Sequence, residues 1–132
     1  MIGDVKILLV DDGTLSSLRL MTQLKNIGFY YIEFAVNAHC AMDYLERGHF
    51  GLVITHRVLP GMGGRDLLAR IKHHEACKDL PIIMITPPLE GAEDVKHFKG
   101  KVDGFIFHPF DFKTLEKLIR HVLEKREVLC KN

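Results

Sequence analysis

Short apolar runs alternate along the chain with longer segments in which apolar residues recur at helical spacing. The short runs are rich in Val and Ile, which is typical of buried strands. They cover residues 5–10, 31–36, 52–55, 81–86 and 104–107. The segments between and after them predict helices over residues 14–26, 38–46, 65–75, 92–99 and 112–125. The pattern therefore predicts five strand and helix pairs in strict alternation.

This alternation predicts an α/β fold in which a parallel sheet is covered by helices on both faces. Parallel strands need crossover connections, and a helix after each strand supplies them with right-handed crossovers. A length of 132 residues is typical of one domain with its own core. No linker or repeat interrupts the pattern, so we expect a single domain over residues 1–132.

The first predicted helix carries apolar residues that should face the sheet. Their spacing is that of one helical face. They are Leu15, Leu18, Met21 and Leu24.

Charge and composition narrow the class of partner and the compartment. The formal net charge is +1, with basic and acidic residues interspersed, so nothing indicates binding to nucleic acid or to a membrane surface. No apolar run approaches the roughly 20 residues that cross a bilayer, and the start MIGDVKILLV carries an acid rather than the basic start of a signal peptide. The cysteines Cys40, Cys77 and Cys130 form no CxxC pair, which favours a reducing compartment. We expect a cytoplasmic protein.

Chemically active side chains follow several of the predicted strands. Asp11 and Asp12 come after the first strand, and His56 comes after the third. Thr86 ends the fourth strand, and His108 follows the fifth. In an open α/β sheet, ligands bind beyond the carboxyl ends of the strands. Adjacent carboxylates repel unless a cation lies between them, so the acid pair suggests a hard divalent ion such as Mg²⁺.

Four segments in order resemble the receiver domains of bacterial two-component response regulators, including chemotaxis regulators. They read ILLVDD, LPGMGG, PIIMIT and GFIFHPF, and the resemblance extends from Lys6 to about Lys125. It implies a flavodoxin-like five-stranded sheet of order 2-1-3-4-5 and a role in phosphorelay signal transduction.

The resemblance also implies roles for individual residues. Asp11 and Asp12 match the acid pair that holds Mg²⁺, and the backbone carbonyl of Val58 matches a further ligand of that ion. Thr86 matches the hydroxyl that bonds the phosphoryl group, and Phe105 matches an aromatic switch residue.

Two positions depart from the receiver pattern. His56 stands where the phosphoacceptor aspartate is expected, and His108 stands where a lysine is expected. An imidazole nitrogen suits Mg²⁺ poorly, and a histidine is charged only in part near neutral pH. We therefore predict an atypical pseudo-receiver, without a catalytic residue and not an enzyme, that acts through protein contacts.

Alternatives to this interpretation remain open. One is a phosphorelay switch that uses unusual chemistry, and another is a divalent-metal sensor at Asp11, Asp12, His56 and His108. Weakened Mg²⁺ binding is compatible with the acid pair, and Zn²⁺ or Ni²⁺ would use the histidines. Protonated His56 could instead be a counterion for the acid pair, or both histidines could simply fill space. No bound cofactor is expected.

The expected partner is a protein: a histidine kinase, a phosphotransfer protein or an output protein. The resemblance implies contacts, and a homodimer, through the surface of the fourth helix, fifth strand and fifth helix. His73, His74, Glu75 and Cys77 have the chemistry of metal ligands, but we interpret them as a solvated helix end.

Overall fold

Five parallel strands form one sheet in the computed structural model, which describes residues 4–11, 13, 15–57, 59, 61, 63–87 and 91–131. The strands are β1 (Lys6–Val10), β2 (Tyr31–Ala35), β3 (Leu52–His56), β4 (Ile82–Thr86) and β5 (Gly104–Phe107). The helices are α1 (Leu15–Asn26), α2 (Ala38–Arg47), α3 (Gly64–His73), α4 (Gly91–Phe98) and α5 (Phe112–Lys131). The predicted elements are all present, and their bounds differ from the prediction by a few residues.

The spatial order of the strands is β2-β1-β3-β4-β5. Every neighbouring pair is parallel. The α/β class and the flavodoxin-like order 2-1-3-4-5 are therefore confirmed. In this order the chain reverses its direction of growth between β1 and β3, which is the place where open sheets of this kind bind ligands.

Side chains of the sheet alternate between two cores. On one face, Leu8, Val53 and Met84 pack against α2, α3 and α4. On the other face, Ile7 and Ile54 belong to the core that includes residues of α1 and α5. Because successive residues of a strand point to opposite faces, each strand feeds both cores. This alternation decides on which face a side chain lies where its strand ends.

Helix α1 buries a different stripe from the predicted one. Leu24 is buried and Met21 packs at the core margin, but Leu18 is 61% exposed. Ser17 and Leu20 are buried in its place. Leu18 was predicted to face the core because it is apolar. The polar Ser17 is buried instead, and its hydroxyl donates a hydrogen bond to the Asp11 carboxylate. The prediction for Leu18 was wrong.

The ends of β3 and α3 decide where His56 and the residues with the chemistry of metal ligands lie. Strand β3 includes His56 as its last residue, so the histidine lies within the sheet ladder opposite Ile85. Helix α3 ends at His73, so Glu75 and Cys77 lie beyond it in a turn.

Helix α5 extends to Lys131. Within the described part of the chain, none of the helices combines the length and the apolar character needed to cross a membrane.

Gly64 begins α3 directly against the end of β3. Its amide donates to the carbonyl of Arg57 at 2.8 Å. A Cβ atom at this position would lie 2.7 Å from the Arg57 carbonyl oxygen and 2.9 Å from the His56 carbonyl oxygen. Both contacts are with backbone, which yields less readily than a side chain. The absence of a side chain at Gly64 therefore lets α3 approach the strand that carries His56.

Replacing Gly64 with serine should destabilise the protein by about 1–3 kcal/mol, the usual range for overpacking. Gly63→Ser is the matched control, because Gly63 is the extended N-cap of α3 and a Cβ there has open space. Serine is a good N-cap residue, so the control should be neutral or slightly stabilising. Urea denaturation measures both. Equal effects of the two substitutions would contradict the close approach of α3 to β3.

Candidate functional site

Asp11 and His56 meet because their strands are neighbours and because both side chains lie on the same face. Asp11 continues the alternation of Ile7 and Leu9, and His56 continues that of Leu52 and Ile54. Their strands pair in parallel, with Val10 opposite Thr55. The His56 Nε2 atom consequently lies 3.2 Å from Oδ2 of Asp11.

Asp11 is almost wholly buried, with 4% of its surface exposed. A buried carboxylate requires polar partners, since its loss of hydration is otherwise uncompensated. The Ser17 hydroxyl on α1 donates to the same Oδ2 atom that His56 contacts. The Asp11 amide donates to the carbonyl of Ala35 at 3.1 Å, which fixes the backbone at the sheet edge. One carboxylate oxygen thus joins α1 to the end of β3.

His108 lies on the same side of the sheet as His56. The two ring centroids are 6.4 Å apart, with the planes inclined at 62°. The His108 amide donates to the carbonyl of Thr86 at 2.9 Å, and the bond from His108 to Pro109 is cis. The other neighbour of the His108 ring is Phe110, with centroids 5.8 Å apart. His108 is exposed, so it lines the mouth of the site rather than its floor.

The two switch residues lie on the other face of the sheet. Thr86 is fully buried and continues the alternation of Ile82 and Met84. Its hydroxyl donates to the carbonyl of Pro87 at 3.4 Å. Phe105 lies opposite Met84 in the ladder and packs against the core that contains it. The sequence predicted that Thr86 lies in one cluster with Asp11, His56 and His108. Because successive residues of a strand point to opposite faces, the Thr86 side chain instead points to the other face of the sheet.

The side chains that the structure describes at this edge of the sheet do not form a full set of metal ligands. Asp12 and Val58, the other predicted Mg²⁺ ligands, lie outside the described residues. Among the residues whose placement is described, no group of three or more His, Cys, Asp or Glu side chains could hold a metal ion. Oδ2 of Asp11 is already in contact with Ser17 and His56, and a nitrogen ligand suits Mg²⁺ poorly.

A cavity of about 330 Å³ opens beside the Asp11–His56 pair. Its walls include the polar side chains of Arg19, Gln23 and His108. Arg19, Gln23 and Ser17 were not predicted as site residues. The sequence does indicate that Arg19 and Gln23 share one face of α1, because they are four positions apart. Ser17 could be recognised only after the inward stripe of α1 was known.

The metal-type residues near the end of α3 are separated by the fold. Cys77 is 2% exposed, and its thiol lies 3.8 Å from the carbonyl of Ile71. Burial raises the pKa of this thiol, and the Glu46 carboxylate raises it further. His74 accepts a hydrogen bond from the Ala76 amide and lies 3.7 Å from Glu46. The solvated helix end that we predicted holds for His73 and Glu75, while Cys77 belongs to the core.

Comparisons with known proteins agree with this architecture. The model of the response regulator receiver domain family matches residues 7–120. A chemotaxis protein CheY-3 from Vibrio cholerae is 32% identical over 122 residues, which cover 92% of this chain and 94% of that protein. A chemotaxis protein CheY from Pseudomonas aeruginosa is 29% identical, over 92% of this chain and 98% of that protein.

Solved structures show the same arrangement of strands and helices. The chemotaxis response regulator CheY4 of Vibrio cholerae superposes with a TM-score of 0.80 at 26% identity, covering 90% of this chain and 98% of that one. A response regulator receiver protein from Pseudomonas putida gives a TM-score of 0.76 at 30% identity, covering 89% and 96%.

Ser17→Ala tests the buried carboxylate contact. The substitution removes a donor from Asp11, and weakening a buried charge-assisted hydrogen bond typically costs about 1–3 kcal/mol. Thr22→Ala is the matched control on the same helix, because the Thr22 hydroxyl only bonds back to the Leu18 carbonyl at an exposed position. We expect a lower free energy of unfolding for Ser17→Ala and no loss for Thr22→Ala. Equal stability of both variants would show that Ser17 does not support Asp11.

Proposed function

The chain belongs to the response regulator receiver domain family, and from that premise we propose that it is a pseudo-receiver. Receiver domains act in two-component signalling and interact with protein partners such as histidine kinases. In this proposal the chain performs the contacts of a receiver without aspartyl phosphorylation. It is a signalling module rather than an enzyme, and it needs no bound cofactor.

The contact between His56 and Asp11 is the observation that carries the proposal. Receiver chemistry requires a carboxylate at the end of the third strand, both to attack phosphorus and to ligate Mg²⁺. His56 brings an imidazole to that position and directs Nε2 to Asp11 at 3.2 Å. The imidazole therefore lies beside an oxygen that would otherwise serve the metal. When protonated, it also supplies a positive charge to the same carboxylate.

His108 weakens the remaining phosphate chemistry in a second way. The receiver pattern has a lysine here, whose permanent charge stabilises a phosphoryl group. His108 is exposed, and its ring lies beside Phe110 and His56. An imidazole lacks the permanent charge and the long flexible stem of a lysine side chain. Both changes act in the same direction, because one removes the acceptor and the other reduces the stabilisation of the product.

Protein contacts are the proposed output. Phe105 packs against the core, and Phe107 on the same strand leaves 45% of its surface exposed. We propose that the surface of α4, β5 and α5 binds a kinase, phosphotransfer or output protein, or a second copy of the chain. A partner with greater affinity for one arrangement of β5 would shift the equilibrium between arrangements without phosphate. This proposed contact does not require a carboxylate at position 56.

Restoring the receiver side chains tests the proposal. Wild-type protein incubated with acetyl phosphate and Mg²⁺ should gain no phosphoryl group by intact mass. The double variant His56→Asp with His108→Lys should gain one. Mg²⁺ should also raise the melting temperature of the double variant and not of the wild type, because a carboxylate at position 56 creates a cluster that a divalent ion stabilises.

Substitutions at two exposed histidines provide the matched control. His49→Asp with His121→Lys makes the same chemical changes away from the site and should respond to neither reagent. A phosphoryl group on the wild type that is lost in His56→Ala would contradict the proposal and support phosphohistidine chemistry. Saturable Zn²⁺ or Ni²⁺ binding that His56→Ala abolishes would instead support the metal-sensor alternative.

A further inference from the structure

A second cavity lies between α3 and α4, with its own set of charged residues. Its volume is about 400 Å³, within the range of ligand sites in proteins. Its walls carry Arg65 and Lys72 from α3, and Lys101 from the turn after α4. His73 and His97 lie at the same cavity. We call this feature the α3–α4 groove.

The groove concentrates positive charge in a chain that is almost neutral. Arg65, Lys72 and Lys101 contribute three permanent positive charges, while the whole chain has a formal net charge of +1. No carboxylate lines the groove among the described residues. Within the same described set, none of the three cations forms an ion pair with an acidic side chain. Among the described residues the groove therefore presents three cations and no carboxylate.

The two permanently charged residues that α3 contributes to the groove lie on the same helical face. Arg65, Leu68 and Lys72 follow at intervals of three and four residues, so they share one helical face. The C-terminal end of a helix favours positive charge, which accounts for Lys72 and His73 without any ligand. It does not account for Arg65 in the first turn of α3.

Arg65 is held in place by an aromatic ring. Its guanidinium carbon lies 5.9 Å from the centroid of Phe98, a distance at which a cation–π contact forms. Phe98 itself is only 3% exposed. Its ring supports Arg65 from below and is not available for a nucleobase to stack on, which disfavours a nucleic acid as the ligand.

We propose that the α3–α4 groove binds an acidic peptide segment of a partner protein. Carboxylates of the segment would contact Arg65, Lys72 and Lys101, and an aliphatic side chain would contact the exposed Ala69 between them. Charge complementarity supports this occupant, because three cations line the groove and no carboxylate is present among the lining residues that the structure describes. The groove is separate from the Asp11–His56 site, and it shares α4 with the proposed surface of α4, β5 and α5 because His97 and Phe98 line it.

NMR titration of isotope-labelled protein with the acetylated peptide EELEELEE tests the proposal. Amide shifts should change around Arg65, Lys72 and Lys101, and they should saturate. Binding should weaken steeply as salt is raised, because exposed charges are screened within about 10 Å at 0.1 M ionic strength. The uncharged peptide QQLQQLQQ should produce no saturating shift.

Two sets of charge reversals separate a specific groove from general attraction. Arg65→Glu with Lys72→Glu and Lys101→Glu should weaken binding at least about tenfold. The control, Lys25→Glu with Lys113→Glu and Lys117→Glu, makes the same charge change at exposed positions elsewhere and should change binding less than about twofold. The single variant Lys101→Glu keeps the test decisive if the triple variant fails to fold, because Lys101 lies outside the helices. This variant should also weaken binding measurably.

Equal losses in the two triple variants would overturn the proposal, because attraction would then depend on net charge alone. The absence of saturating shifts at the groove would also overturn it. Tighter binding of a short single-stranded oligothymidine at the same residues would assign the groove to nucleic acid instead.

Discussion

The buried carboxylate of Asp11 is the interaction on which the functional edge of this protein depends. It lies where β1 ends, and a single oxygen is shared by the Ser17 hydroxyl and the His56 imidazole. A carboxylate with so little access to water must be held by polar partners, and Ser17 of α1 and His56 of β3 are two of them. Asp11 therefore fixes how α1 lies against the end of β3. The proposed pseudo-receiver depends on this contact, because the imidazole lies beside the carboxylate that would hold Mg²⁺ in a receiver that uses the ion.

Strand alternation explains why the site has the composition it has. Asp11, His56 and His108 extend the residues of their strands that face α1 and α5, whereas Thr86 extends those that face the other helices. The pairing of β1 with β3 and of β3 with β4 then fixes how far each strand end projects. The contact between Asp11 and His56 needs no special loop, because ordinary sheet register produces it.

Most of the fold could be predicted from sequence, because apolar runs and helical spacing report burial directly. The five strands and five helices follow from that pattern, and the resemblance indicated the order of the strands. The error at Leu18 has a physical reason: hydropathy ranks leucine above serine, but a hydrogen bond to Asp11 gives Ser17 a place inside. Arg19 and Gln23 were missed for a related reason. They line a cavity between α1 and the segment that follows β5, and their shared helical face does not by itself show what lies opposite it.

Helix α3 joins the two regions that carry the proposals. It begins at Gly64, whose amide bonds to the Arg57 carbonyl beside His56, and it presents Arg65 from its first turn and Lys72 from its last turn to the groove. The close backbone contacts at Gly64 leave little room for α3 to move without the end of β3. A ligand in the groove can influence His56 only if it has different affinities for two positions of α3. The hydrogen bond from the Gly64 amide to the Arg57 carbonyl links the start of α3 to the residue that follows His56. In a receiver without an acceptor carboxylate, this connection would let one protein contact alter another without phosphate.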